Sequence, residues 1–131
     1  MGSRSATVRL TQAQLQAFRR AAQQRAIATR WGGLSRAAQF GVRPYNQLRA
    51  AIRGTGLQAH HIIERRFGLN INRSVAVTRA EHQRFTNHWR RLLPYGRTYT
   101  PQQVWAAAQQ VYRNFPVLLS TVRMEMWRYL N

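Results

Sequence analysis

Cysteine, lysine and aspartate are all missing from this sequence, and acidic residues of any kind are scarce. Without cysteine there is no disulfide framework and no thiolate metal site, and the composition suits any redox compartment. No apolar run approaches the length of a transmembrane helix or of a signal peptide's hydrophobic region, so no membrane association is expected. Export, if it occurs, must come from outside this chain. Internal repeats, low-complexity tracts and linkers are also absent. With 131 residues, 44% of them hydrophobic, the chain is expected to form one domain, 1–131, with a real core. Its opening, MGSRS, reads as an added remnant or a frayed start.

What is abundant is arginine. All 21 basic residues are arginine, against the glutamates Glu64, Glu81 and Glu125, for a formal net charge of +18. A folded domain with this charge repels itself, so it is expected to work beside a polyanion. Arginine grips phosphate bidentately, which points to nucleic acid before membrane. A high-GC genome would explain arginine over lysine, but not the near absence of acids.

The pattern is mainly α with one interruption. Thr11 and Gln14 form a capping box opening a helix that should end by Gly32-Gly33, with Leu15, Phe18, Ala22 and Ile27 on its apolar side. A short helix over 34–40 is closed by Gly41. Another runs from Pro44, in its first turn, through Tyr45, Leu48 and Ile52 to Gly54. The segment FGLNINRS (67–74) carries turn residues, and VAVT (75–78) is the best strand candidate. Thr78 with Glu81 starts a helix of about 79–93. Thr100 with Gln103 starts one reaching Asn114, and a last helix covers about 117–130. Trp105, Phe115 and Trp127 fall in helical apolar patterns and are assigned to the core. The expected architecture is a small β-hairpin at about 57–78 surrounded by helices.

All four histidines lie between positions 60 and 88. They follow an order: a His-His pair on a short strand in QAHHIIERRF (58–67), an asparagine-bearing turn, a second strand, then His82 in the first turn of a helix. The matching residues are Ala59-His60-His61-Ile62-Ile63, Asn70 or Asn72, Val75-Ala76-Val77-Thr78 and His82, with EHQRFTNHW (81–89). This spaced set resembles the HNH/endonuclease VII superfamily of ββα-metal (His-Me finger) nucleases, in particular toxin nucleases with an AHH signature. The resemblance covers about 56–93, and the flanks 11–54 and 100–130 contribute nothing to it.

The chemistry suits such a set. Phosphodiester hydrolysis needs a base to activate water and a cation to stabilise charge on the phosphorane and leaving oxygen. The resemblance implies His61 as general base and His60 and His82 as metal ligands. The turn asparagine, Asn72 or else Asn70, would hold the hairpin and orient His61. One divalent ion is implied, Mg²⁺ first, with Zn²⁺ or Mn²⁺ as alternatives. The helix dipole at His82 would favour a bound phosphate. Colicin-type members place a second helix ligand four residues on, where this chain has Thr86, which could hold a coordinated water. His88 and Asn87 lie off that line, His88 about 120° around the helix. Such a site suits a Mg²⁺ that keeps its waters better than a tight three-histidine zinc site.

Each residue also has a plainer role open to it. Adjacent strand residues face opposite ways, so one of His60 and His61 could be core. Glu64 could orient a histidine or bind metal through water, or simply pair with an arginine. His82 shares a helical stripe with Phe85, Trp89 and Leu93. Glu81 is accounted for by its capping box. Among the arginines near the site, Arg65, Arg66 and Arg84 are candidate phosphate contacts.

Three function classes fit. The first is a metal-dependent endonuclease acting on DNA with little sequence preference, since nothing announces a base-reading element. The second is a metal-independent ribonuclease using His, Glu and Arg. The third is a non-catalytic nucleic-acid-binding protein, which has no need of clustered histidines. The family resemblance favours the first, as the effector domain of a bacterial polymorphic toxin. It would be secreted or delivered within a larger protein, act in the target-cell cytoplasm, and be restrained by an acidic cognate immunity protein.

Overall fold

Three reciprocal capping boxes start three of the helices. Thr11 with Gln14 opens α1 (Gln12–Arg30), Thr78 with Glu81 opens α4 (Arg79–Leu92), and Thr100 with Gln103 opens α5 (Pro101–Val111). In each, the threonine hydroxyl accepts from the third helical N–H while that residue's side chain accepts from the threonine N–H, satisfying two otherwise unpaired donors. The computed structural model describes residues 9–131, so the MGSRS opening lies outside the described residues. The remaining helices are α2 (Ser35–Phe40), α3 (Tyr45–Ala51) and α6 (Pro116–Leu130), the last with proline in its first turn, where no N–H is needed.

The β element is larger than a hairpin. Strands β2 (Gln58–His61) and β3 (Arg73–Val77) pair antiparallel, and a two-residue β1 (Arg43–Pro44) adds to the far edge of β3, giving the order β1-β3-β2. Pro44 was expected as the first helical residue, but it is extended (φ −55°, ψ 143°) and caps α3 from the strand side. Proline tolerates an edge strand because its missing N–H costs no ladder bond there. The β2–β3 register sets His60 opposite Val75 and His61 opposite Ser74.

Alternation along this sheet divides the molecule. Val75, Val77 and His60 face a large core built with Ile62, Phe85 and Trp89 from the hairpin and α4 and with Val104, Tyr112, Leu118, Val122 and Met126 from α5 and α6. Ala59 and Ala76 face the other way, onto Leu48 and Ile52 of α3. The strand period of two thus sends the two adjacent histidines into different environments. An Arg73–Glu125 ion pair at 3.1 Å links β3 to α6 across a partly exposed surface, where such pairs contribute little.

Two expectations of burial fail. Helix α1 fully buries none of its residues: Leu15 is partly covered, but Phe18 is 59% and Ile27 44% exposed, so much of the proposed apolar side faces solvent. Trp127, assigned to the core, is 65% exposed on α6, whereas Trp105 and Phe115 do pack against the core. A helical period says which residues share a face, not whether another element covers it.

Where α1 ends, Gly32 adopts φ +61°, and a Cβ there would lie 2.4 Å from both the Asn114 carbonyl and the Phe115 ring. Gly32→Ala is therefore expected to lower unfolding free energy by more than about 1 kcal/mol, from left-handed strain plus the clash. The exposed Phe18→Ala should stay within about 0.5 kcal/mol. Urea titrations of the two variants check the contrast.

Candidate histidine site

Side chains from three elements converge at the end of β2. His60 is buried and its ring stacks on Phe85 of α4, with centroids 4.7 Å apart. Its Nε2 lies 2.8 Å from the Tyr112 hydroxyl, which donates its own proton to the Ile62 carbonyl at 2.6 Å. A phenol has one proton to give, so His60 must donate Nε2–H to Tyr112. Trp89 Nε1–H donates to the same oxygen at 3.4 Å. Burial pushes the Tyr112 phenol up, so it stays a donor. Burial, then the neighbouring His82 and His61, lowers His60 to about 3. A neutral ring protonated at Nε2 keeps its lone pair on Nδ1.

His82 is tethered in the same manner. Its Nδ1 lies 2.6 Å from Oε1 of Gln58, to which it donates, leaving Nε2 as the lone-pair nitrogen. Gln58 precedes His60 by two and so shares its strand face. The His60 and His82 rings meet edge to face, with centroids 5.3 Å apart. Burial lowers the His82 pKa, with Glu64 pulling the other way. Each imidazole thus has one nitrogen fixed by a hydrogen bond and the other without a protein partner among the described residues. Metal-ligating histidines are commonly oriented in this way.

His61 points to the opposite face. Its half-buried ring stacks on Tyr45 of α3, with centroids 4.2 Å apart and planes 16° from parallel. Neither ring nitrogen has a hydrogen-bond partner among the described residues. Burial, then Arg65 and His82, holds its pKa below the ordinary value, keeping it neutral and able to accept a proton. His60, His61, Glu64, Arg65, Arg66, His82 and Tyr95 line an open cleft of about 330 Å³.

The other candidates distribute unevenly. Glu64 lies in the cleft, but its Oε1 pairs with Arg66 Nε at 2.8 Å. Arg66 also donates to the Leu93 carbonyl at 2.6 Å and is sandwiched by the Phe67 and Tyr95 rings. Its guanidinium is committed to holding the loop, whereas Arg65 is exposed at the cleft. Asn72 is exposed in an adjoining hollow with His61, Arg65 and Asn70, and makes no hydrogen bond to His61. The turn is held instead through Asn70's backbone, by Tyr129 and Arg128 of α6. Thr86 follows His82 by one turn of α4 but does not line the cleft. Arg84 and His88 line a separate hollow with Glu81 and Phe85, and Asn87 bonds to Gln83.

Tyr45, Gln58 and Tyr112 were missed. For Gln58 the strand period was a usable signal. Nothing local marks Tyr45 or Tyr112, because each reaches its histidine only through packing of a distant helix.

Among the described residues no three His, Cys, Asp or Glu side chains form a group that could hold a metal ion. The His60–His82 pair offers two imidazole nitrogens, a donor type suited to ions such as Zn²⁺, whereas Mg²⁺ prefers oxygen ligands and would be held mainly through its waters. No helix among the described residues is long and apolar enough to cross a membrane. Comparison with known proteins finds no matching family model, no matching curated protein and no matching solved structure.

Tyr112→Phe removes the shared hydroxyl and leaves His60 Nε2–H and the Ile62 carbonyl unpaired in the core. It is expected to reduce unfolding free energy by about 2 kcal/mol or more, as read by urea denaturation. The pH dependence has a definite sign. Between its ordinary 6.5 and about 3, His60 binds a proton in the unfolded chain but not in the folded one. Stability is therefore complete above about pH 6.5 and falls as pH drops below it. His61, His82 and His88 are shifted the same way. In EDTA, the urea midpoint should decline steadily on acidification; a flat profile would contradict the burial of neutral His60.

Proposed function

We propose that this chain is a metal-dependent endonuclease of the HNH type, with a ββα-metal core formed by β2, β3 and α4, cutting DNA with little sequence preference. The observation that carries the reading is the pairing of His60 with His82, rings 5.3 Å apart and each tethered through its other nitrogen, beside a neutral, unbonded His61. A protein that only bound nucleic acid would have no use for such an arrangement.

In this reading His61 accepts a proton from the water that attacks phosphorus, and the stacked Tyr45 ring keeps its imidazole in place. The lone-pair nitrogens of His60 and His82 would hold one divalent ion, Mg²⁺ first, which supplies charge stabilisation at the phosphorane and leaving oxygen. Thr86, outside the cleft, would act only through a coordinated water, and Asn72, which makes no hydrogen bond to His61, is given no direct role. Arg65, exposed at the cleft, is the best placed of the three proposed phosphate contacts. Glu64 restrains Arg66 and opposes the lowering of the His82 pKa, which gives it a positioning role.

The biological setting follows from the same resemblance. A small, strongly basic nuclease is toxic to its host, so we place it as a toxin effector domain, delivered within a larger protein to the target-cell cytoplasm. An acidic immunity protein complementary to the +18 charge would restrain it.

Plasmid DNA and total RNA, each with Mg²⁺ and with EDTA, test the assignment. DNA cleavage is expected with Mg²⁺, abolished by EDTA and reduced about 10²–10⁴-fold in His61→Ala. RNA cleavage indifferent to EDTA would assign a metal-independent ribonuclease instead. Binding without cleavage of either would leave a nucleic-acid-binding protein.

A further inference from the structure

Beyond His82 the site opens into a larger groove of about 750 Å³ under α3. Tyr45 and Arg49, one turn apart on α3, and Arg53, in the turn just after the helix, line it together with Gln58 and His82. No lining residue is acidic. Arg49 and Arg53 are exposed, and the ion pairs of the described residues, Arg66–Glu64 and Arg73–Glu125, involve neither of them. The Arg49 guanidinium lies 5.7 Å from the centroid of the Tyr45 ring that stacks on His61. At the rim, a Cβ on Gly54 or Gly56 would meet nothing within 4 Å, so the approach is open.

The groove is continuous with the rest of the site. It shares His82 with the histidine cleft, and Tyr45 and Asn46 with the hollow containing Arg65. Cationic side chains thus stand in concave surface on both sides of His61. A cleft lined by one sign of charge focuses its field, which charges spread over open surface do not.

We propose that the α3 groove seats the nucleic-acid backbone on one side of the histidine centre, with Arg49 and Arg53 on phosphates of one strand and Arg65 on the backbone beyond. Arg49 lies in the last turn of α3 and Arg53 in the turn that follows it, and one strand of a duplex carries a phosphate about every 3.4 Å of axis, so the two guanidinium groups are placed for different phosphates of one strand. Contacts of this kind position the substrate without reading its sequence. The assignment rests on nucleic acid being the substrate, but not on its being cut.

Anisotropy of a labelled duplex oligonucleotide in EDTA reads binding without turnover. Arg49→Ala/Arg53→Ala is compared with Arg19→Ala/Arg20→Ala, which removes two exposed charges from α1, outside the groove. The groove variant should bind about tenfold more weakly and lower the slope of log K against log salt by about 2, near 0.9 per lost contact. The α1 variant should stay within about twofold of wild type. Equal losses in the two variants, an unchanged groove variant, or no binding by wild type would each overturn the proposal. Groove-dependent binding by a protein that cuts nothing with Mg²⁺ would remove the nuclease reading and leave the groove standing.

Discussion

The Tyr112 hydroxyl is the point on which the site depends. It sits in the core, receives hydrogen bonds from His60 and Trp89, and passes its own proton to the Ile62 carbonyl just beyond β2. One oxygen therefore joins α5, α4 and the histidine-bearing strand. It also selects the His60 tautomer, and so decides which nitrogen is left free. Buried polar networks are costly when half satisfied and rigid when complete. Here the fully buried side-chain nitrogens and oxygens among the described residues all have partners; His60 Nδ1, which has none, belongs to a residue that lines the cleft. The position of His60 is thus a consequence of core packing, whatever its chemical role.

The scarce acids are used locally. Glu81 closes the capping box that starts α4 and so sets where His82 stands. Glu64 restrains Arg66 at the cleft, and Glu125 joins α6 to β3. None lines the α3 groove. The cationic field over that groove and the hollow with Arg65 is therefore left largely uncompensated, which is the electrostatic condition for drawing in a phosphate backbone.

The two neighbouring histidines show how far backbone geometry alone can differentiate similar residues. His60 and His61 are adjacent, yet strand alternation sends one against Phe85 and the other against Tyr45. One is buried at the floor of the cleft and held by a hydrogen bond; the other is half buried and free to accept a proton. A binding role and a base role would ask for these two environments.

Local signals determined much of this protein. The capping boxes set three helix starts, the glycine pair ended α1, the β-branched run made β3, and period-two alternation separated His60 from His61. These depend on hydrogen bonds and dihedral preferences within a few residues, which a sequence displays directly. The third strand at Arg43–Pro44, the exposure of Phe18, Ile27 and Trp127, and the arrival of Tyr45 and Tyr112 at the histidines were decided only by the tertiary structure. Each depends on which distant element comes to lie against a given face, and a helix or strand presents the same pattern whether or not that face is covered.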